Sequence, residues 1–391
     1  MSQVKLLDFN IKLILFSIIL SFSSSILSQN ESQVCSTTTS EKFIEYYNSI
    51  KNQLSVFEQD FKLAKSNKTK NSKKDLNYIP IKAHIIRSED GSTGLTEKNL
   101  EVAIANLNEI YAQAFMKFFL FEGINYIDNN ELSNFRKGNE KSLITANYVP
   151  NTINIYFIDS IENALGESIC GYVEQKVNII IMKNSCSVND SSLAHEMGHF
   201  FSLIHTHGAS NTKLTSEFVD GSNCDTDGDG ICDTPADPKL SYDTIDNNCN
   251  YIGNLTDAHG DVYEPDTKNI MSYSRKSCRS NFTEQQFTRI YAYYKSMGDK
   301  LRSDFSDDYF AIDKLAKVKI YPNPVSNGKI HLKSVVLESE PVYYQIANFQ
   351  GQTLSNGIIS NGEINVNHLS SGSYLLILND SNTKVVKKFI K

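Results

Sequence analysis

Three histidines and one glutamate carry the most specific chemistry in this chain. In the run Ala194-His195-Glu196-Met197-Gly198-His199-Phe200-Phe201-Ser202-Leu203-Ile204-His205, two histidines stand four residues apart and a glutamate follows the first. An α-helix turns once per 3.6 residues, so His195 and His199 stack on one face and can share a metal. Zinc favours imidazole nitrogen in tetrahedral geometry, and a catalytic zinc keeps one position for water. His205 supplies the third nitrogen if the helix ends and the chain turns back; His207, two residues on, competes for that place. Glu196 is the expected general base. It would take a proton from water whose pKa zinc lowers to about 7, and return it to a leaving amine. The plain alternative is a surface helix with solvated histidines, and the added histidine at fixed spacing argues against it.

A second pattern is acidic. Asp225, Asp227, Asp229 and Asp233 alternate with small residues and with Gly228 and Gly230, which suits a hard, oxygen-seeking cation such as calcium. An EF-hand loop would need an acid at its twelfth place, where Ala236 stands, so this is not that motif. A solvated acidic loop is the other reading. Of the seven cysteines, Cys170, Cys186, Cys224, Cys232, Cys249 and Cys278 cluster around this segment, and Cys35 stands alone upstream. An exported chain would pair them, and an odd cysteine calls for an explanation.

The elements that must position these residues can be read from periodicity. Tyr78 to Ile86 alternates as a strand, and Phe118 to Ile127, Thr152 to Ile158 and Val177 to Met182 are further strand-like runs. Thr96 is an N-cap for a helix reaching Phe115, with Leu100, Ala103, Leu107 and Ile110–Tyr111 on one face. Phe282 to Met297 reads as a further helix. Between 206 and 268 periodicity disappears; so long a loop is usually functional or stapled. Upstream, Phe43, Tyr47, Ile50, Leu54, Phe57 and Phe61 mark a helix from Glu41 to Leu63, followed by a lysine-rich stretch from Lys65 to Lys74. From Val318 the pattern changes to short alternating runs with turn signals, a small all-β unit. The expected class is α+β.

At the start, Lys5 and Lys12 flank or precede an apolar run from Ile11, broken by Ser21, Ser23, Ser24 and Ser25 and closing at Ser28. That reads as a secretory signal peptide over 1–28 rather than a membrane anchor, for which the run is too short. The expected division continues with a removable propeptide at 29–77, a zinc peptidase domain at 78–301, a linker at 302–317 and the all-β unit at 318–391. An ordinary N-terminal helical extension is the alternative for the second segment. No other stretch is expected to cross a membrane. The 391 residues carry a net charge of −7 with no broad basic stripe, which excludes a nucleic-acid binder.

The run from His195 to His205 resembles the metzincin signature His-Glu-x-x-His-x-x-Gly-x-x-His. Within that clan the chain is most similar to the pappalysin family, which includes ulilysin-like enzymes, across about residues 78–300. Asn269-Ile270-Met271-Ser272-Tyr273-Ser274 resembles the family's methionine turn, Asp229 to Pro235 a motif of its intervening loop, and Phe282 to Arg289 its closing helix. The resemblance implies a mixed twisted sheet with an active-site helix and a long-loop lower subdomain. It implies one catalytic zinc with Met271 as its hydrophobic base, Tyr273 stabilising the tetrahedral intermediate, and structural calcium near the acidic loop. The sequence departs from the pattern at Ser202, where the family has glycine; a left-handed residue costs serine on the order of 1 kcal/mol. Cys249 with Cys278 would bracket the methionine turn, leaving Cys170 with Cys186 and Cys224 with Cys232 as one choice among many. Cys35 is then either a bystander or, as in some metzincins, a thiolate that fills the open zinc position and keeps a precursor latent.

Ile320-Tyr-Pro-Asn-Pro-Val325, Leu369 to Leu376 and the ending from Val385 to Lys391 resemble the C-terminal sorting domain of the type IX secretion system of Bacteroidetes. The implied partners are that machinery and protein or peptide substrates, and the implied location is outside the cell or on its surface. Two other functions stay open: a binding protein that keeps the fold but not the activity, and a zinc enzyme acting on a non-peptide amide or ester.

Overall fold

The computed structural model describes residues 35–37, 39–66, 76–188, 191–305, 318–333, 342–359, 361–379 and 384–391. The expected signal peptide lies outside the described residues, and so does most of the expected linker. The chain divides into two compact units, with the division between Ser303 and Asp304.

The first unit is built on a five-stranded sheet. Its strands are β1 (Asn77–Arg87), β2 (Met116–Asp128), β3 (Ile153–Ile158), β4 (Gly171–Glu174) and β5 (Ile179–Lys183), in the order β2-β1-β3-β5-β4. Strands β1, β2, β3 and β5 run parallel, and β4 lies antiparallel on β5 at the edge. β1 is buried along both faces and β3 throughout, as expected for strands covered on two sides.

Helix α1 (Glu41–Ser66) precedes the sheet, and α2 (Glu97–Tyr111), α3 (Ser192–Phe200) and α4 (Glu284–Met297) follow within the unit. Thr96 caps α2 by accepting the Asn99 backbone N–H, and the buried face of α2 carries Leu100, Ala103, Leu107 and Tyr111. The helix expected to reach Phe115 stops earlier. Ala112–Ala114 tighten into a 3-10 turn, and Phe115 adopts φ 55°, which turns the chain into β2. The Tyr111 hydroxyl donates to the Ala194 carbonyl (2.9 Å), tying α2 to α3. Thr283 and Gln286 form a capping box at the start of α4. Helix α1 rests on α4: Phe61 is fully buried against Tyr291 and Phe115, and the Arg289 guanidinium lies 5.0 Å from the Tyr47 ring centre. Residues 206–268 hold little regular structure. Three disulfides staple the unit: Cys170–Cys186, Cys224–Cys232 and Cys249–Cys278.

The second unit is all-antiparallel. Strands β6 (Lys319–Tyr321), β7 (Lys329–Lys333), β8 (Tyr343–Ala347), β9 (Thr353–Ile358), β10 (Glu363–Asn365), β11 (Ser373–Asn379) and β12 (Lys384–Ile390) form a four-stranded sheet, β9-β8-β11-β12, and a three-stranded sheet, β10-β7-β6. Ile330, Ile346, Leu376, Leu378 and Phe389 make their shared core. The fold class is α+β. No helix among the described residues is long and apolar enough to cross a membrane.

Candidate active site

Helix α3 is buried along its whole length. Leu193, Ala194, Met197 and Phe200 anchor it in the main core, which turns His195, Glu196 and His199 toward a common point. Gly198 is required where α3 crosses the methionine turn: a Cβ there would meet Met271 Sδ at 2.5 Å. Met271 is itself fully buried beneath the helix.

The helix ends in a Schellman-type turn. The Leu203 N–H donates to the Gly198 carbonyl (2.9 Å), and Ser202, one residue past the cap, takes φ 73°. This is the position where the sequence pattern calls for glycine. The reversal brings His205 back toward the helix. His199 Nε2 lies 3.2 Å from His195 Nε2 and 3.1 Å from His205 Nε2. His207 stays outside this group: its ring stacks on His205, and its Nε2 faces Asn211 Oδ1 at 3.3 Å.

On the two helix histidines the facing nitrogen is a lone-pair acceptor rather than a donor. His195 donates its Nδ1–H to the Ile270 carbonyl (2.6 Å) and His199 donates its own to the Leu203 carbonyl (2.8 Å), which leaves each Nε2 unprotonated. Burial keeps all three rings neutral, holding the His199 pKa at about 4 and those of His195 and His205 well below the usual value. Tetrahedral zinc at its usual bond length sets imidazole nitrogens roughly 3.3 Å apart. The donor set therefore fits zinc in spacing about His199 and, at the two helix histidines, in protonation state.

Glu196 is 2% exposed, and burial raises its carboxyl pKa to about 7. Thr37 Oγ1 donates to Glu196 Oε2 (3.0 Å) and Cys35 Sγ donates to the same oxygen (3.6 Å). Cys35 Sγ also stands 3.6 Å from His199 Nε2, and together with the three histidines it forms a group whose ligand atoms all lie within 4.8 Å of one another. Burial, then the Glu196 charge, pushes the Cys35 thiol pKa well up. The short segment carrying these residues lies along β4: the Ser36 N–H donates to the Gly171 carbonyl (3.1 Å), and the Val173 N–H donates to Thr37 Oγ1 (2.8 Å). Lys137 donates to the Ser36 carbonyl. Tyr273 packs edge-on against His205, and its one hydroxyl proton is shared between two acceptors, the Cys35 carbonyl (3.2 Å) and Asn211 Oδ1 (3.1 Å). Thr37 and Asn211 were not singled out in the sequence, because neither belongs to a spaced motif.

The four aspartates of the acidic loop do not converge. Asp225 is exposed, and Asp227 accepts from Ser216 and Thr226 hydroxyls. Asp233 accepts the Gln285 N–H at one oxygen, while its other oxygen is buried without a partner. Asp229 is buried. Its Oδ1 accepts from Ile231 N–H (3.0 Å) and Thr234 Oγ1 (2.8 Å), and its Oδ2 has no partner. Glu217, which the sequence pattern does not mark, lies 1% exposed with Oε2 equally unpartnered. Gly228 makes room for it, since a Cβ there would stand 1.9 Å from that oxygen. Burial raises Asp229 to about 7; burial and the nearby Asp229, Asp237 and Asp227 raise Glu217 to about 8.

Residues 172–295 match the family described as Pregnancy-associated plasma protein-A, and residues 319–391 match the Secretion system C-terminal sorting domain. The chain is 25% identical over 240 residues to an extracellular metalloprotease of Colletotrichum graminicola, covering 55% of this chain and 75% of the relative. It is 28% identical over 231 residues to extracellular metalloprotease 1 of Coccidioides posadasii, covering 54% and 74%. Among solved structures it is similar to a Tannerella forsythia promirolysin mutant, at 17% identity and a TM-score of 0.41, covering 68% of this chain and 95% of the other.

Proposed function

We propose that this chain, a secreted or cell-surface zinc metalloendopeptidase of the pappalysin type with a type IX secretion sorting domain, cuts peptide bonds of extracellular proteins with Glu196 as its general base. The observation that carries the reading is the convergence of three neutral imidazole rings, with the second nitrogen of each helix histidine held by a backbone carbonyl, beside a buried carboxyl. His195, His199 and His205 would hold the metal. When bound, zinc supplies a Lewis acid and water of lowered pKa.

The residues of the chain divide the remaining work. Glu196, with a pKa brought to about 7 by burial, is matched to taking a proton and returning it to the departing nitrogen near neutral pH. The Tyr273 hydroxyl already donates to a peptide carbonyl, that of Cys35, and this supports its role as a donor to the developing oxyanion. Met271 supports α3 from below.

The segment at Cys35 to Thr37 is read as a latency plug. Its thiol faces the histidine nitrogens, and Thr37 engages the general base. The division into signal peptide 1–28, propeptide 29–77, catalytic domain 78–301, linker 302–317 and sorting domain 318–391 belongs to this proposal, as does handling by the type IX machinery. Glu217 and Asp229 are proposed to hold a structural calcium ion. Two buried carboxyls with unpartnered oxygens are what a divalent cation neutralises.

The test is hydrolysis of a denatured protein by the zinc-loaded processed chain, beside Glu196→Ala and a chelator control. The expected result is a loss of at least about a thousand-fold in Glu196→Ala with zinc still bound. Equal rates in the two proteins would overturn the assignment of the base. No hydrolysis by the folded, zinc-loaded chain would turn the reading toward a binding protein.

A further inference from the structure

Next to the histidine cluster lies a cavity of about 330 Å³. His195 and Glu196 line one part of it, and Lys239, Arg275, Lys276 and Arg279 also line it. Arg279 is 8% exposed, its Nε has no partner, and its Nη1 makes only long contacts of 3.4 Å, to the Ser272 carbonyl and His195 Nδ1. Of these, His195 Nδ1 is already committed to Ile270. Among the described residues no salt bridge joins Arg279 to a carboxylate. Arg275 stacks its guanidinium 3.4 Å over the Tyr242 ring centre and donates from Nε to the Ile245 carbonyl; Lys276 Nζ donates to Cys170 Sγ (2.9 Å). Asp243 is the one acid on the wall besides Glu196, and it is exposed.

A buried guanidinium with unfilled donors is costly, and a carboxylate satisfies it best, through paired charge-assisted hydrogen bonds. Glu196 and Tyr273 both line the cavity, so on the peptidase reading it opens beside the scissile bond. Glu196 returns its proton to the leaving nitrogen, and the residue bearing that nitrogen is the one assigned to the cavity below.

We propose that this cavity is the specificity pocket for the residue on the carboxyl-terminal side of the cut, and that it selects aspartate or glutamate, with Arg279 as the anchoring group and Lys276 and Arg275 adding positive charge. The proposal rests on the peptidase reading above and names its substrate class: peptide bonds that precede an acidic residue.

The test uses the zinc-loaded chain after limited proteolysis in the lysine-rich stretch has freed it of the segment before Leu76. Peptides differing at one position compare Glu, Gln, Leu and Lys after the scissile bond. The expected kcat/KM for Glu exceeds that for Gln by on the order of ten- to a hundred-fold, with Lys the poorest. Hydrolysis that needs Glu196 and zinc but is equal for Glu and Gln, or favours Lys or Leu, overturns the pocket and leaves the peptidase reading standing. Fluorescence anisotropy of the same peptides on the Glu196→Ala protein gives a readout without turnover. Tighter binding of the Glu peptide supports the pocket even where hydrolysis fails, and indifference to Glu against Gln overturns it. In Arg279→Lys the Glu-to-Gln ratio is expected to fall several-fold. An equal loss on both peptides would make Arg279 a support for Glu196 only. Lys276→Gln reads the same ratio should the buried substitution not fold.

Discussion

Two clusters of buried ionisable groups lie in the first unit, and burial acts on them in opposite senses. At His195, His199 and His205 it strips charge from bases, leaving neutral rings, two of them with the second nitrogen engaged by a backbone carbonyl. At Glu217 and Asp229 it raises the pKa of two acids, each with a buried oxygen that has no hydrogen-bond partner. Neutral imidazoles tolerate the absence of a cation at little cost. Buried carboxylates do not, and must take up protons instead. That difference accords with the two roles proposed for them, catalysis at the first and a structural cation at the second.

Of the effects that set the two clusters apart, the largest concerns the first and the plug proposed at Cys35. In the full chain, Cys35→Ser keeps the size of the side chain and removes the soft ligand. Hydrolysis by the uncleaved precursor is expected to rise by on the order of ten-fold or more, because a tethered thiolate competes at high effective concentration. The comparison is made against the same variant after removal of the segment. Latency that persists unchanged would mean that Thr37 and the backbone pairing along β4, rather than the thiol, close the site.

The second cluster predicts a stability effect with a definite sign. An acid whose pKa is raised by folding binds its proton more tightly in the folded state. Its contribution is complete below the unfolded value near 4 and is lost as pH climbs through the folded value. With Glu217 at about 8 and Asp229 at about 7, the cation-free chain loses stability as pH rises across that window. The buried histidines act in reverse: their lowered values remove stability as pH falls below the unfolded value near 6.5. The difference between calcium-loaded and chelated protein isolates the carboxyls. Calcium well above its Kd is expected to raise Tm by roughly 5–10 °C, and by more at about pH 9 than at about pH 5. Glu217→Gln should remove most of that dependence. A calcium shift that is absent, or constant with pH, would break the contrast between the clusters.

The same contrast explains what could be read from the sequence. His195, Glu196 and His199 ride on one helix, where spacing is geometry, and the turn at Ser202 carries His205 back into register with them. The strands around them announce themselves by apolar runs, with β2 extending only slightly past the expected Phe118 to Ile127. Edge strand β4 is four residues long, too short to show a period, yet it is the strand along which Ser36 and Thr37 lie. Glu217, Asn211 and Thr37 have no periodic neighbours; folding of loops brings them into place. Alternating aspartates suggested one cation cluster, but alternation in an irregular loop does not fix which side chains point inward, and Asp225 turns to solvent while Glu217 turns in. Arg279 follows a stapled cysteine, and its proximity to His195 depends on the Cys249–Cys278 turn.

The smallest effect tests how the first cluster is held. Ser202 takes φ 73° at the Schellman position, and its hydroxyl oxygen is buried without a partner. Glycine there would remove the left-handed penalty and the unsatisfied oxygen, against the greater freedom it returns to the unfolded chain. The balance favours Ser202→Gly by about 1 kcal/mol, or a rise of roughly 2–4 °C in Tm for a unit of this size. The turn itself, set by the Leu203 N–H to Gly198 carbonyl bond, should be unchanged, so zinc affinity and kcat/KM should stay within about two-fold. A fall in Tm would show that the serine hydroxyl is satisfied by ordered water. A marked gain in activity would show that the strain at Ser202 had been holding His205 away from its best position.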